Sequence, residues 1–162
     1  MIESPERKGA RGKMINVAVI GCGHWGPNFA RNFSELPESN MYACCDLKEE
    51  SLNHIKQRYP LVKTTTDYQE ILNDPQVGAV CVAVPPPAHY PVARDALRSG
   101  KHVLVEKPFT LSTVEAQELV DLAKQEGKVL MVGHTFRYNP AVEEIKRMIS
   151  EGILGDIYSG AL

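Results

Sequence analysis

The sequence predicts an α/β chain: a doubly wound parallel sheet with helices on both faces, three layers in all. Three observations carry that prediction. Apolar runs and amphipathic stretches alternate along the chain, with no internal repeat and no low-complexity tract. Val77 to Val84 is continuously apolar, which suits a parallel strand covered on both sides. Gly21-Cys22-Gly23-His24-Trp25-Gly26 follows directly on the apolar run Ile15 to Ile20, a glycine-rich turn between a strand and a helix.

The elements follow in order. Ile15 to Ile20 is the first strand, and Pro27 falls in the first turn of the helix after it, where a missing N–H costs nothing. Gly26, Phe29, Ala30 and Phe33 recur at the spacing of one buried helical face. Asn40 to Asp46 reads as the second strand, Leu52, Ile55 and Tyr59 as a face of the next helix, and Val62 to Thr65 as a short third strand. Asp67 is placed to cap a short helix through Leu72 before the strand of Val77 to Val84, which Pro85-Pro86-Pro87 ends abruptly. His89, Val92, Ala93 and Ala96 form the stripe of a helix that Gly100 closes, and His102 to Glu106 is the next strand. Ser112 and Glu115 make a capping box for a helix whose buried face is Ala116, Leu119, Val120 and Ala123, ending at Gly127. Val129 to Gly133 gives a sixth strand. A last helix carries Ala141, Val142, Ile145, Met148 and Ile149 on one side and stops at Gly152. Gly155 to Ser159 reads as a turn leading into a further strand. The expected organisation is a disordered leader over 1–13, a dinucleotide-binding domain over 14–152, and a linker with the start of another domain over 153–162.

With 162 residues the chain suits one α/β domain. Eighteen basic and twenty acidic residues leave a formal net charge of −2, so nothing draws the protein to nucleic acid or an anionic membrane surface. No apolar stretch approaches a membrane span, and Met1 to Lys13 is polar, without the apolar core of a signal peptide. A cytoplasmic location is the expectation, with Met14 as an alternative start. Cys22, Cys44, Cys45 and Cys81 have no metal-ligand spacing and mostly fall in buried runs, so they read as core residues and no metal is expected.

The glycine turn carries the first chemistry. Gly21 permits the tight turn, Gly23 lets backbone approach a pyrophosphate, and Gly26 lets the helix lie close on the strand. The helix N-terminus offers free N–H groups and its positive dipole end to phosphate. Asp46 follows Gly26 by 20 positions, the spacing of the carboxylate that holds an adenosine ribose. NAD is therefore the expected cofactor, with a turn that binds no nucleotide as the competing reading. His24 and Trp25 belong to the same loop; Trp25 either covers the pyrophosphate or only shields the helix start.

Three later segments, together with this loop, resemble the Gfo/Idh/MocA family of dehydrogenases: Val84-Pro85-Pro86-Pro87-Ala88-His89, Gly100-Lys101-His102-Val103-Leu104-Val105-Glu106-Lys107-Pro108, and Gly133-His134-Thr135-Phe136-Arg137-Tyr138-Asn139-Pro140. The resemblance covers Met14 to Gly152, and Glu106-Lys107-Pro108 is its most specific piece. It implies that Lys107 is catalytic, lying beside the nicotinamide ribose and the substrate hydroxyl, where an ammonium group steadies a developing alkoxide. Glu106 would touch the nicotinamide end, and Pro108 would follow a cis peptide bond. For Glu106 and Lys107 the competing reading is a solvated charge pair at a strand end. Pro85 and His89 are assigned to the cofactor loop, His89 against the alternative of a core histidine. Arg137 is assigned to the nicotinamide or an acidic substrate, against the alternative of pairing with Glu143 or Glu144.

Members of that family continue into a second domain with the substrate pocket, a catalytic histidine and most of the oligomer interface, and Gly152 to Leu162 matches the linker into it. The resemblance thus implies the cofactor-binding half of an enzyme that transfers a hydride between a sugar or nucleotide-sugar hydroxyl carbon and nicotinamide, catalytically incomplete alone. Apolar residues at Ile153, Leu154, Ile157 and Tyr158 are expected to favour self-association, including a homo-oligomer, or a disordered tail. The alternative is a non-enzymatic nucleotide-binding module, a redox sensor or partner-binding subunit on the same fold.

Overall fold

Residues 14–158 are described by the structure, a computed structural model; the leader expected over 1–13 and residues 159–162 lie outside them. The described residues divide into a first unit ending at Val132 and a second beginning at Gly133.

The first unit is the predicted sheet. Its strands are β1 (Ile15–Ile20), β2 (Ser39–Cys45), β3 (Lys63–Thr65), β4 (Ala79–Val82), β5 (His102–Val105) and β6 (Leu130–Val132), with α1 (Gly26–Glu35), α2 (Glu49–Arg58), α3 (Tyr68–Asn73), α4 (His89–Arg98) and α5 (Thr113–Gln125) between them. The order is β3-β2-β1-β4-β5-β6 and every pairing is parallel. Parallel neighbours need crossovers, and right-handed crossovers put helices on both faces, so the apolar strands become the middle layer. Strand alternation divides the core accordingly. Ala18, Ile20, Val80, Val82, Val103 and Val105 pack with Ala93, Ala96, Leu97 and Leu119 on one face, while Val19, Cys44 and Cys81 pack with Ala30, Leu52 and Ile55 on the other.

Local chemistry sets most boundaries as expected. The Asp67 carboxylate accepts from the Gln69 N–H at the start of α3, and Gly100 and Gly127 take left-handed φ of 73° and 62° where α4 and α5 end. The capping box is altered: Ser112 Oγ accepts from Glu115 N at 3.2 Å, but the Glu115 carboxylate takes the N–H of Leu111 rather than that of Ser112. Val120, expected on the buried face of α5, is exposed; Leu122 packs on the core in its place, because the face of α5 that is buried is the one packed on α4. The run Val77 to Val84 is in ladder only at its centre, with Ala83 N donating to Ile20 O to extend the pairing by one residue.

The second unit holds a 3-10 turn (Thr135–Tyr138) and α6 (Pro140–Ser150). Asn139 caps this helix by accepting from Ala141 N, Arg147 pairs with Glu144 and Glu151, and Gly152 ends it at a φ of 70°. The expected apolar stripe is present in sequence but no residue of α6 is buried: Val142, Ile145 and Ile149 are exposed. The strand expected after Gly155 does not form among the described residues, which stay irregular through Tyr158. No helix of the described residues is long and apolar enough to cross a membrane.

Candidate functional site

Strand order reverses between β1 and β4, so the loops leaving their carboxyl ends diverge and open a crevice. A cleft of about 650 Å³ lies there, within the range of small-molecule sites. Its walls come from the glycine turn after β1, Asp46 to Lys48 after β2, Ala83 to Pro86 after β4, the start of α4, and Glu106 with Lys107 after β5.

The three glycines of the turn differ in what they make room for. A Cβ on Gly26 would lie 2.2 Å from the carbonyl oxygen of Gly21, and one on Gly21, at a φ of 97°, would lie 2.5 Å from the Ala83 carbonyl group. These two positions are closed by the protein's own backbone. A Cβ on Gly23 would meet nothing within 4 Å, although Gly23 lines the cleft. The space at Gly23 is open to a ligand, which is the fit expected of a pyrophosphate crossing the turn. His24 and Trp25 stand exposed beside it with ring centroids 5.7 Å apart, edge to face.

Asp46 does more than its spacing indicated. Its Oδ2 accepts from Cys22 N at 2.7 Å and its Oδ1 from Lys48 N at 2.8 Å, tying the end of β2 to the glycine turn. Each carboxylate oxygen keeps further acceptor capacity for a ribose hydroxyl. Cys22 is buried behind the turn, its Sγ donating to Cys45 O at 3.5 Å; its thiol is driven far above the usual range, first by the neighbouring Cys44 thiol and then by burial, so it is no nucleophile.

On the opposite wall Pro85 lines the cleft, while His89, at 1 % exposure, lies at its margin with both ring nitrogens engaged. Nε2 is 2.8 Å from the Val84 carbonyl oxygen and Nδ1 is 2.6 Å from that of Pro108. Glu106 is buried and its Oε2 accepts from Lys107 N at 2.9 Å. Burial, helped by the nearby Glu106 carboxylate, also raises the Cys81 thiol. Lys107 is exposed, lines the cleft, and has no carboxylate within ion-pair distance among the described residues; the Lys107–Pro108 bond is cis. The solvated Glu106–Lys107 pair weighed from the sequence is therefore not formed. Arg137 lies in the second unit, where its guanidinium is 3.7 Å from Glu143, the pairing weighed for it against a ligand role.

Several features were not read from the sequence. Ser51, Thr66 and Tyr68 also line the cleft, and nothing in their local pattern marks them. Lys101 is buried at the far end of β5, its Nζ donating to the carbonyls of Asp74 and Val77 at 2.7 and 3.0 Å. A lysine immediately before an apolar strand was the available signal.

Known proteins place this arrangement. The family model described as "Oxidoreductase family, NAD-binding Rossmann fold" matches residues 15–134. An uncharacterized oxidoreductase of Synechocystis, sll0816, is 39 % identical over 143 residues, covering 88 % of this chain and 38 % of its own. The scyllo-inositol 2-dehydrogenase (NADP(+)) IolW of Bacillus subtilis is 31 % identical over 143 residues, covering 88 % and 39 %. Among solved structures, GenD2 from gentamicin A biosynthesis, in complex with NAD, superposes with a TM-score of 0.83 at 31 % identity, covering 90 % of this chain and 42 % of its own. The chain thus spans about two-fifths of the length of these relatives. With its doubly wound sheet, its glycine turn and its cleft at the strand reversal, the chain belongs to the Gfo/Idh/MocA oxidoreductase family and carries that family's NAD-binding Rossmann domain.

Proposed function

We propose that residues 1–162 form the cofactor-binding half of a dehydrogenase that moves a hydride between a hydroxyl-bearing carbon of a sugar or nucleotide sugar and nicotinamide. The observation that carries this reading is Lys107: an exposed ammonium group at the cleft, with no carboxylate partner among the described residues, on the turn that also holds buried Glu106. An inositol dehydrogenase among the relatives supports the substrate class.

In this reading Gly21, Gly23 and Gly26 set the path of the pyrophosphate, with His24 and Trp25 at its side. Asp46 receives the adenosine ribose hydroxyls, and Pro85, His89 and Glu106 border the nicotinamide end. Bound nicotinamide supplies the hydride acceptor. Lys107 donates a hydrogen bond to the substrate oxygen, favouring the form in which that oxygen carries developing negative charge. An ammonium group has no lone pair, so Lys107 holds the oxygen while another group takes its proton. We assign that base to the part of the longer relatives that residues 1–162 do not match.

Calorimetric titration with NAD, followed by incubation with NAD and a panel of sugars and nucleotide sugars, tests the proposal. Residues 1–162 alone are expected to bind NAD and to form no NADH. Substrate positioning is worth roughly 7–11 kcal/mol of barrier, and it is the part assigned elsewhere. Substrate-dependent NADH formation at an ordinary enzymatic rate would contradict the half-enzyme reading, and absence of NAD binding would contradict the whole.

A further inference from the structure

The two loops that face each other across the nicotinamide end of the cleft are poor in backbone donors. Pro85, Pro86 and Pro87 follow β4, and Pro108 follows Lys107, so four peptide groups there have no N–H to offer. The carbonyls of Val84 and Pro108 nevertheless both have a partner, and it is the same one: the ring of His89, the first residue of α4. Its Nε2 lies 2.8 Å from Val84 O and its Nδ1 2.6 Å from Pro108 O, so one ring spans the two loops. The ring is 1 % exposed, and Lys107, on the turn it reaches, is exposed at the cleft.

We propose that His89 is a positioning residue: its ring bridges Val84 O and Pro108 O and so fixes the Lys107 turn against the loop after β4. The inference rests on the function proposed above, because the spacing it sets is that of the two walls on either side of the nicotinamide. His89 touches no reacting atom. It acts through Lys107 and Pro85.

The test uses the full chain, nitrogen-15 labelled, with NAD itself as the probe. His89→Leu should remain folded by circular dichroism, shift the Lys107 amide resonance, and bind NAD about tenfold more weakly, the loss expected for roughly one net hydrogen bond. His89→Gln, whose amide carries two donor hydrogens, should bind NAD more tightly than His89→Leu. A folded His89→Leu protein with wild-type affinity overturns the proposal, and so does an equal loss in both variants, which would leave packing as the cause. If His89→Leu does not fold, His89→Phe, which keeps a ring without its nitrogens, takes its place in the same comparison. A wild-type chain that fails to bind NAD refutes the proposed function, while an unmoved Lys107 amide resonance in the folded variant still refutes the bridge.

Discussion

The two turns that frame the cleft are built on opposite principles. The glycine turn after β1 is shaped by missing side chains: at Gly21 and Gly26 backbone approaches so closely that a single Cβ would fall within 2.5 Å of another main-chain atom. The Glu106–Pro108 turn after β5 is shaped by polar side chains that are present, through the bonds of His89 and Glu106 to carbonyl and N–H groups. A turn closed by steric contact answers to substitution in an all-or-none way, because overlap with backbone has no flexible side chain to absorb it. A turn held by hydrogen bonds answers in graded steps of about 1 kcal/mol. The two walls of one site should therefore fail differently.

The largest effect is expected at the sterically closed positions. Gly26→Ala or Gly21→Ala should destabilise by roughly 3 kcal/mol or more, since each forces a backbone shift and the second adds a left-handed φ. In a chain of this size that lowers Tm by about 6–12 °C, which thermal unfolding followed by circular dichroism would register. Wild-type melting in both variants would break the contrast between the turns.

A smaller effect is expected at Asp46, which braces the glycine turn through Cys22 N and, in the proposed function, receives the ribose. Asp46→Asn keeps one acceptor oxygen and removes the charge. NAD affinity should fall by roughly ten- to a hundredfold, the value of one or two charge-assisted bonds, and the preference for NAD over NADP should narrow. An unchanged preference in parallel titrations would detach Asp46 from the ribose. IolW, an NADP(+)-using relative, shows that this choice varies among similar chains.

The smallest effects concern chemical access. Burial pushes the Cys45 thiol up to about 12 and raises that of Cys81, and all four cysteines are buried and unpaired. Iodoacetamide at pH 8 should leave the native protein unmodified by mass spectrometry, until denaturant exposes the thiols. Lys107, on the other turn, should be acetylated readily and be protected by NAD. Rapid alkylation of Cys22 would mean that the glycine turn is less closed than its contacts require.

How far the sequence carried the reading depended on the range of the interaction. Strand positions and most helix faces followed from local periodicity, and the glycine turn from its spacing, although the carbonyl group that closes Gly21 comes from Ala83, beyond β4. The role proposed for Glu106 and Lys107 comes only through resemblance, since an isolated Glu-Lys pair looks like any solvated strand end. His89 was undecided between cofactor loop and core. Its two partners are separated from it by 5 and 19 residues, and only the fold brings them to one ring. The stripe on α6 marks the reverse case: its periodicity is real, but amphipathicity states which face can be buried and not what buries it. Val120 failed for a related reason, as the width of a buried face is set by the neighbouring helix and not by the spacing of apolar residues.

The claim on which everything else depends is that the open space at Gly23 receives the pyrophosphate of NAD. Calorimetric titration of the wild-type chain and of Gly23→Val with NAD, with circular dichroism of both, tests it most directly. A Cβ at Gly23 meets nothing within 4 Å, so the variant should fold as the wild type does while its branched side chain fills the approach to the backbone. The account predicts binding by the wild type and none by a fully folded Gly23→Val; equal affinity in two folded proteins would contradict it.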